Sequence, residues 1–195
     1  MAARLERVFY GRSTLEVTPE LIGKFLVRRS GRSRLVGRIV EAEAYLAHPD
    51  RASHASRKNP KRAAIMFGPP GFVYVYLIYG MYHCLNLVTE TDGVAGAILV
   101  RAIKPGKGVE RMRRSRGRDM PDRNLTNGPG KLCRAMQIDL RHNGADGCGD
   151  RLWLEDRGYR PRRVARGPRI GVEYAGAWAR KPWRFWEEGN AFVSR

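Results

Sequence analysis

The chain has 195 residues and is strongly basic, with 37 lysines and arginines against 19 aspartates and glutamates, a formal net charge of +18. Its length suits one domain with a sizeable core, and its 43% hydrophobic content excludes a disordered basic tail. No apolar run approaches the roughly 20 residues that span a bilayer, so we expect no membrane association. Nucleic acid is the leading partner for such a positive chain.

The cysteine pattern indicates the compartment. Cys84, Cys133 and Cys148 are odd in number and widely spaced, and they include no C-x-x-C pair. This pattern disfavours a disulfide framework and a zinc site, and it favours a reducing intracellular location, in the cytoplasm and nucleoid or in a eukaryotic nucleus. Since no metal or cofactor motif is present either, we predict that the protein needs neither.

The first predicted elements are a helix and two strands. Thr18, Pro19 and Glu20 have the pattern of a helix start, with threonine as the cap and proline at the first helical position. Strands are then predicted at 25–29 and 34–46, joined by a turn. Residues 47–71 are polar and rich in turn signals, and a loop of this length inside one domain is usually functional.

The strand at 34–46 carries an unusual acidic row. Side chains alternate along a strand, so Glu41, Glu43 and Tyr45 are displayed on one face, opposite an apolar face. Carboxylates would repel the polyanion that a basic protein should meet. Either arginines neutralise them in structural ion pairs, or they do chemistry. Spacing alone does not choose between Glu41 and Glu43.

Residues 72–88, FVYVYLIYGMYHCLNLV, predict a β-hairpin whose tip is at 79–82. Gly80 supplies the unusual backbone angles of the turn. Most aromatic-rich strands belong to a core. A tyrosine and a methionine at the tip are different, because hairpin tips are normally polar. Large side chains on a stiff hairpin of a basic protein suit a wedge between base steps of a nucleic acid.

The rest of the chain predicts further strands and helices around this hairpin. We predict strands at 95–103, 152–155 and 170–172, helices at 109–117 and 131–138, loops at 117–130 and 142–150, and a basic linker at 157–169. Near the C-terminus, aromatic residues are expected to close the core: Trp178, Trp183, Phe185 and Trp186.

A basic surface, an aromatic wedge and a carboxylate beside a tyrosine suit an enzyme that acts on a base taken out of a duplex. Such an enzyme fills the gap with a side chain and holds the base between aromatic faces. Cleavage of the N-glycosidic bond then needs a general base that activates water.

Five runs carry a family resemblance: GRIVEAEAYLAHPDRASH, YVYLIYGMYHCLN, ILVRAIKP, NGPGKLC and AGAWARKPWRF. In this order they resemble the alkyladenine (3-methyladenine) DNA glycosylase family, over roughly residues 21–194. The resemblance implies a mixed α/β (α+β) fold, with residues 1–195 as one domain whose first 15 or so residues are peripheral. It implies a curved antiparallel sheet, peripheral helices, and a hairpin that enters the minor groove.

The resemblance also assigns the catalytic positions. Glu43 matches the general base that deprotonates the attacking water, which leaves Glu41 as a structural or supporting partner. Arg101 matches the arginine that holds this water and the phosphate of the flipped nucleotide. The carbonyl of Ile170 matches a further partner of the water, and Tyr79 matches the intercalating residue.

Four positions match the base pocket of the family. Tyr45 and Tyr76 match its aromatic walls. His54 matches its hydrogen-bonding residue, although on sequence alone a satisfied loop histidine is the commoner interpretation. Asn86 matches the residue that crowds out the amino group of normal guanine.

Three further residues are assigned to DNA binding. Met81 and Tyr82 match residues that line the hairpin beside the lesion. Lys131 caps a helix or contacts phosphate, and nothing local separates these alternatives. One departure from the family pattern is His83, where an aromatic or apolar residue is expected.

The function that follows is a monomeric, monofunctional DNA glycosylase. It would flip alkylated or deaminated purines out of double-stranded DNA and leave an abasic site. No lysine in the matched runs is suited to attack the sugar, so no lyase step is expected. The alternative is a non-catalytic basic protein that binds RNA or lesions, for which the charge of +18 would suffice.

Overall fold

The longest strand of the protein, β3 (Ser33–Leu46), organises the fold. In the computed structural model, which describes residues 2–56, 63–117 and 119–194, one edge of β3 pairs along most of its length with β6 (Gly96–Pro105). The other edge pairs first with β2 (Phe25–Ser30) and then with β9 (Arg184–Glu187). Its sequence neighbour β2 and two strands from distant parts of the sequence, β6 and β9, therefore meet on β3.

The remaining strands extend this sheet on both sides. They are β1 (Ala3–Arg4), β4 (Val73–Ile78), β5 (Tyr82–Val88), β7 (Leu152–Asp156) and β8 (Val164–Gly167). The order is β1-β7-β2-β3-β6-β5-β4, with β8 attached through β9, and the described pairings are antiparallel. The sheet is open and belongs to a single domain, which confirms the predicted α+β fold.

Helices and single turns surround the sheet. The helices are α1 (Arg7–Tyr10), α2 (Thr14–Leu21), α3 (Val109–Arg116) and α4 (Pro129–Met136). The 3-10 turns are His54–Ser56, Ala64–Phe67, Asp122–Asn124, Leu140–His142 and Glu173–Arg180. Apolar residues of α2 and α4 join those of β3 in the main core, which is why both helices lie against the sheet. Among the described residues, no helix has the length and apolarity to cross a bilayer.

The first predicted helix begins at the wrong residue. It starts at Thr14, and Thr18 lies inside it, where its hydroxyl donates to the carbonyl of Thr14 at 2.6 Å. Ser13 occupies the N-cap position instead. Its carbonyl accepts the first helical hydrogen bond, from the amide of Val17. Ser13 and Thr18 are both good capping residues, and local sequence does not rank them. Pro19 is accommodated in the last turn.

Two later predictions are also corrected. The helix expected at 131–138 runs from Pro129 to Met136, since Pro129 occupies its first turn and Gln137 ends it at a φ of 56°. The strand expected at 170–172 is absent, because Gly171 has a φ of 73°. The strand of this region is β8, which falls in the segment expected to be a basic linker.

The aromatic residues near the C-terminus divide between two places. Phe185 joins the main core. Trp178 and Trp183 are only partly buried and contact each other at 5.8 Å, away from that core. Only part of the predicted closure of the core is therefore correct.

The predicted hairpin is formed by β4 and β5, and the loop at 144–147 supports its base. The amide of Val73 donates to Ala145 and the amide of Gly147 donates to Gly71, at 2.8 and 3.0 Å. This approach needs glycine, because a Cβ at position 147 would lie 2.3 Å from the Gly71 carbonyl oxygen.

We predict that Gly147→Ala lowers the free energy of unfolding by about 1–3 kcal/mol, because the added methyl group forces the loop away from the hairpin. Denaturant unfolding measures this. The control is Gly11→Ala, whose Cβ would meet its nearest atom at 3.5 Å and which should change stability by less than about 1 kcal/mol. An unchanged midpoint for Gly147→Ala would contradict the prediction.

Candidate active site

The pairing of β3 with β6 is irregular where the acidic row lies. Ile39 pairs with Ile103 and Glu41 with Ala102, so Val40 is an extra residue on β3. The next pair joins Ala42 to Val100, so Arg101 is an extra residue on β6. Bulges of this kind redirect side chains and are common beside active sites.

The two carboxylates of the row are not displayed to solvent. Glu41 and Glu43 are both fully buried, since β9 pairs with β3 at these residues. Arg101 lies between them, with Nε 3.1 Å from Glu41 and Nη1 3.2 Å from Glu43. Arg184 of β9 adds a second positive charge, 3.1 Å from Glu41. Burial of these carboxylates depends on such partners.

Among the described residues, Glu43 contacts two hydrogen-bond donors in addition to Arg101. The backbone N–H of Ile170 donates to its Oε1 at 2.8 Å, and the Tyr45 hydroxyl donates to its Oε2 at 2.8 Å. Burial raises the pKa of Glu43, and Arg101, the Ile170 amide and Tyr45 oppose that rise. The pKa remains above its usual value, so the carboxylate binds a proton more readily than an exposed one.

Burial, and then the Glu43 carboxylate, raise the pKa of the Tyr45 hydroxyl well above its usual value. Tyr45 therefore stays protonated and acts as a donor to Glu43. The backbone amide of Ile170 contacts the Glu43 carboxylate. The family resemblance instead matched the Ile170 carbonyl to a partner of the attacking water.

A cavity of about 790 Å³ lies beside Glu43. The three partners of this carboxylate, Tyr45, Arg101 and Ile170, line it, and Glu43 lies directly behind them. Most of the other residues predicted for the site also line it: His54, Tyr76, Tyr79, Tyr82, Asn86 and Lys131. Met81 does not line the cavity; it is 66% exposed beside the hairpin tip.

Aromatic rings form one side of the cavity. His54 contacts Tyr76 edge to face, with ring centroids 4.7 Å apart. Its Nδ1 shares a hydrogen bond of 2.8 Å with the hydroxyl of Tyr74, a residue that the sequence assigned to no role. Tyr74 and Tyr76 are on the same strand two residues apart, so they face the same side. The pair fixes the His54 ring against the cavity.

Asn86 is buried on β5 opposite Tyr74. Its Nδ2 donates to the carbonyls of Tyr74 and Cys84, at 3.1 and 3.4 Å. Both amide hydrogens are thus committed to the backbone, which holds the side chain rigidly in the cavity wall. A rigid group of this kind can exclude a ligand by shape.

The hairpin tip has the geometry of a tight turn. Tyr79 and Gly80 have φ angles of 53° and 68°, and the amide of Met81 donates to the carbonyl of Ile78. Two positive φ angles at the central positions are the pattern of a type I′ turn. Tyr79 is 79% exposed at this turn, and a non-glycine residue held at positive φ often marks a functional position.

The N-terminal end of α4 supports the other side of the hairpin. A Cβ at Gly130 would lie 2.9 Å from the ring of Tyr82, so glycine allows this close approach. Lys131 Nζ donates to Asn127 Oδ1 at 3.0 Å while its side chain lines the cavity. The lysine therefore holds Asn127, two residues before the helix, and adds positive charge to the cavity wall.

A buried ion pair that the sequence did not predict joins two loops. Arg169 binds Asp50 through both terminal nitrogens at 2.7 and 2.8 Å, and both side chains are inaccessible to solvent. The guanidinium stacks on Tyr45 and on Trp183, at 4.7 and 5.0 Å from the ring centroids. This pair holds the loop before His54 to the segment that carries Ile170, and no local signal marks Arg169 among the many arginines.

The arrangement suits proton abstraction beside a flat ligand that is held between the aromatic walls of the cavity. A carboxylate has about four acceptor sites, and the three contacts of Glu43 leave capacity for a water molecule. Arg101 offers positive charge at the same wall. Among the described residues, no group of three or more histidine, cysteine or acidic side chains could hold a metal ion.

Comparisons with known proteins show which sequences this chain resembles. The sequence profile of the family described as "Methylpurine-DNA glycosylase (MPG)" matches residues 8–191. A protein of Alkaliphilus oremlandii is 49% identical over 200 residues, which cover 98% of this chain and 99% of that protein. A protein of Methanocella arvoryzae is 49% identical over 192 residues, which cover 98% of this chain and 96% of that protein. Both carry the name "Putative 3-methyladenine DNA glycosylase".

We predict that Asp50→Asn lowers the free energy of unfolding by about 3 kcal/mol, because it leaves Arg169 buried without its counter-charge. Denaturant unfolding provides the measurement. Glu20→Gln is the control, since it breaks a similar pair with Arg12 at the surface and should cost less than about 1 kcal/mol. Equal losses for the two variants would refute the structural role of the buried pair.

Proposed function

The chain belongs to the methylpurine-DNA glycosylase family, and on this premise we propose that it removes damaged purines from double-stranded DNA. As a DNA glycosylase it hydrolyses the N-glycosyl bond in DNA repair. The finer proposal is that a purine is flipped into the cavity, where a water molecule activated by Glu43 attacks the sugar. An abasic site remains.

One observation carries this proposal: Glu43 is a buried carboxylate with a raised pKa, held directly behind the wall of the cavity. A general base works best when its pKa is closer to the working pH. Tyr45, Arg101 and the Ile170 amide fix the orientation of the carboxylate. We propose that Arg101 also holds the water or a phosphate of the flipped nucleotide.

The aromatic lining of the cavity supports a flipped purine as the ligand. We propose that the base stacks between Tyr45 and the His54 and Tyr76 side, while Tyr79 takes its place in the duplex. Alkylation at N3 or N7 makes a purine cationic, so the base leaves readily. Neutral lesions such as hypoxanthine would need a proton donated to the base. Asn86 would exclude normal guanine by steric conflict with its amino group.

The partner follows from charge and from the hairpin. A net charge of +18 favours binding to DNA phosphates with strong salt dependence. Met81, Tyr82 and Lys131 lie beside the tip or at the cavity wall, where we propose that they contact the DNA around the lesion. We propose that a monomer is the active form, acting in the cytoplasm or nucleoid.

We predict that Glu43→Gln lowers the rate of base release by about a hundredfold or more, because the amide cannot accept the proton of water. Single-turnover assays on a duplex with 3-methyladenine, ethenoadenine or hypoxanthine, read out as alkali-sensitive sites, measure this. Affinity for the lesion duplex should change little. Glu20→Gln, at an exposed carboxylate, is the control and should retain the wild-type rate.

A near wild-type rate for Glu43→Gln would refute this assignment of the general base. An inactive wild-type protein that still binds the damaged duplex would favour the alternative, a lesion-binding protein. Inactive protein that prefers RNA, or that shows no preference for damage, would favour a general nucleic-acid-binding protein.

We also predict that sodium borohydride traps no covalent complex between the protein and lesion DNA. Hydrolysis by water forms no imine, and we propose that Lys131 at the cavity wall contacts DNA and does not attack the sugar. A bifunctional glycosylase trapped in parallel is the positive control. A stable cross-linked species with this protein would show a lyase step and contradict the proposed monofunctional reaction.

Tyr79→Ser should weaken binding to a lesion duplex by about 1–3 kcal/mol, the scale of one lost stacking contact. Equilibrium binding with a non-hydrolysable lesion analogue measures the change. The control is Val8→Ser, a substitution at a residue that is 75% exposed on α1, far along the chain from the hairpin. If both variants bind equally well, Tyr79 is not the wedge.

A further inference from the structure

Glu41 is the most heavily bonded side chain of the acidic row, although the proposed reaction gives it no step. Its Oε1 accepts from Arg101 Nε at 3.1 Å, from Arg184 Nη1 at 3.1 Å and from Ser194 Oγ at 2.9 Å. Its Oε2 accepts the backbone N–H of Ser194 at 2.7 Å. Four donors from three segments converge on this one carboxylate.

Arg101 is held at three of its nitrogen atoms. Nε donates to Glu41, Nη1 pairs with Glu43, and Nη2 donates to the Ser194 hydroxyl at 3.3 Å. Ser194 therefore accepts from Arg101 through the same oxygen that donates to Glu41. A planar guanidinium with its atoms fixed in this way has little freedom to rotate.

We propose that Ser194 and Glu41 are positioning residues, which hold Arg101 at the cavity wall in the orientation that supports Glu43; this inference rests on the proposed function of Glu43. Neither residue lines the cavity, so both act through Arg101. Ser194 contributes two bonds to Glu41 and one to Arg101, and its hydroxyl makes two of these three.

The charge of Arg101 gives this positioning role an effect on the pH–rate profile, which a purely structural role would not have. Arg101 lowers the pKa of Glu43 against the effect of burial. An arginine that moves away from Glu43 stabilises the carboxylate less, so this pKa rises further. The acidic limb of the pH–rate profile then moves to higher pH, since the general base must be deprotonated.

Among the described residues, the groups around Glu43 come from three strands and from the segment that carries Ile170. On β3 they are Glu41, which raises the pKa of Glu43, and Tyr45, which lowers it. Arg184 of β9 pairs with Glu43 in the strand register and binds Glu41. The remaining two are Arg101 of β6 and the backbone amide of Ile170.

The test compares single-turnover base release by wild type, Ser194→Ala and Ser194→Thr over a range of pH, with lesion-duplex affinity and thermal stability measured in parallel. We expect Ser194→Ala to lose about tenfold in rate near neutral pH with unchanged affinity, because a misoriented group lowers the rate without altering binding. Its acidic limb should move to higher pH. Ser194→Thr keeps the hydroxyl and should restore both the rate and the limb.

Ser30→Ala is the matched control. Ser30 is as buried as Ser194, at 6% against 8% exposed, and its hydroxyl binds Gln137 away from the cavity. It should keep the wild-type rate and pH profile. A Ser194→Ala variant with the wild-type rate, or with a loss that is uniform across pH or is not restored by threonine, would overturn the inference. Inactive wild-type protein would instead refute the proposed function itself.

Discussion

Two fully buried carboxylates constrain how the strands meet at the centre of this protein. A buried negative charge is tolerated only with positive partners and hydrogen-bond donors in good geometry, and removal of one partner typically costs 3–5 kcal/mol. Glu41 and Glu43 are balanced by Arg101 and Arg184, two charges of each sign. Because these arginines come from β6 and β9, both strands must meet β3 at the same point. The paired bulges then bring Arg101 between the carboxylates.

The same burial that constrains the fold also raises the pKa of Glu43. Water would hold the pKa of an exposed glutamate near its ordinary value, whereas desolvation raises the pKa of Glu43. The donors from Tyr45, Arg101 and Ile170 limit that rise. The pKa of Glu43 is therefore set by a balance between desolvation and three specific contacts, and each of these three residues also forms part of the cavity wall.

The elements that could be predicted from the sequence are those marked by patterns of neighbouring residues. The long strand and the hairpin followed from alternation and from Gly80, and both are present. The burial of the acidic row could not be predicted, since it depends on β9, a four-residue strand in an aromatic and basic stretch. The Asp50–Arg169 pair spans 119 residues, and its arginine is one of many. Spacing could not separate Glu41 from Glu43 either; the proposal favours Glu43 because all three of its partners line the cavity.

The turn at the hairpin tip has a consequence for encounters with DNA. Tyr79 and Gly80 already occupy left-handed backbone conformations, and the turn is closed by a hydrogen bond. In the proposed reaction, little backbone entropy would remain to be lost when the tip enters a groove. A tip that needs no reordering would be inserted at one base step and withdrawn unchanged before the next. Under that proposal, the stiffness of these four residues would affect how quickly undamaged DNA is searched.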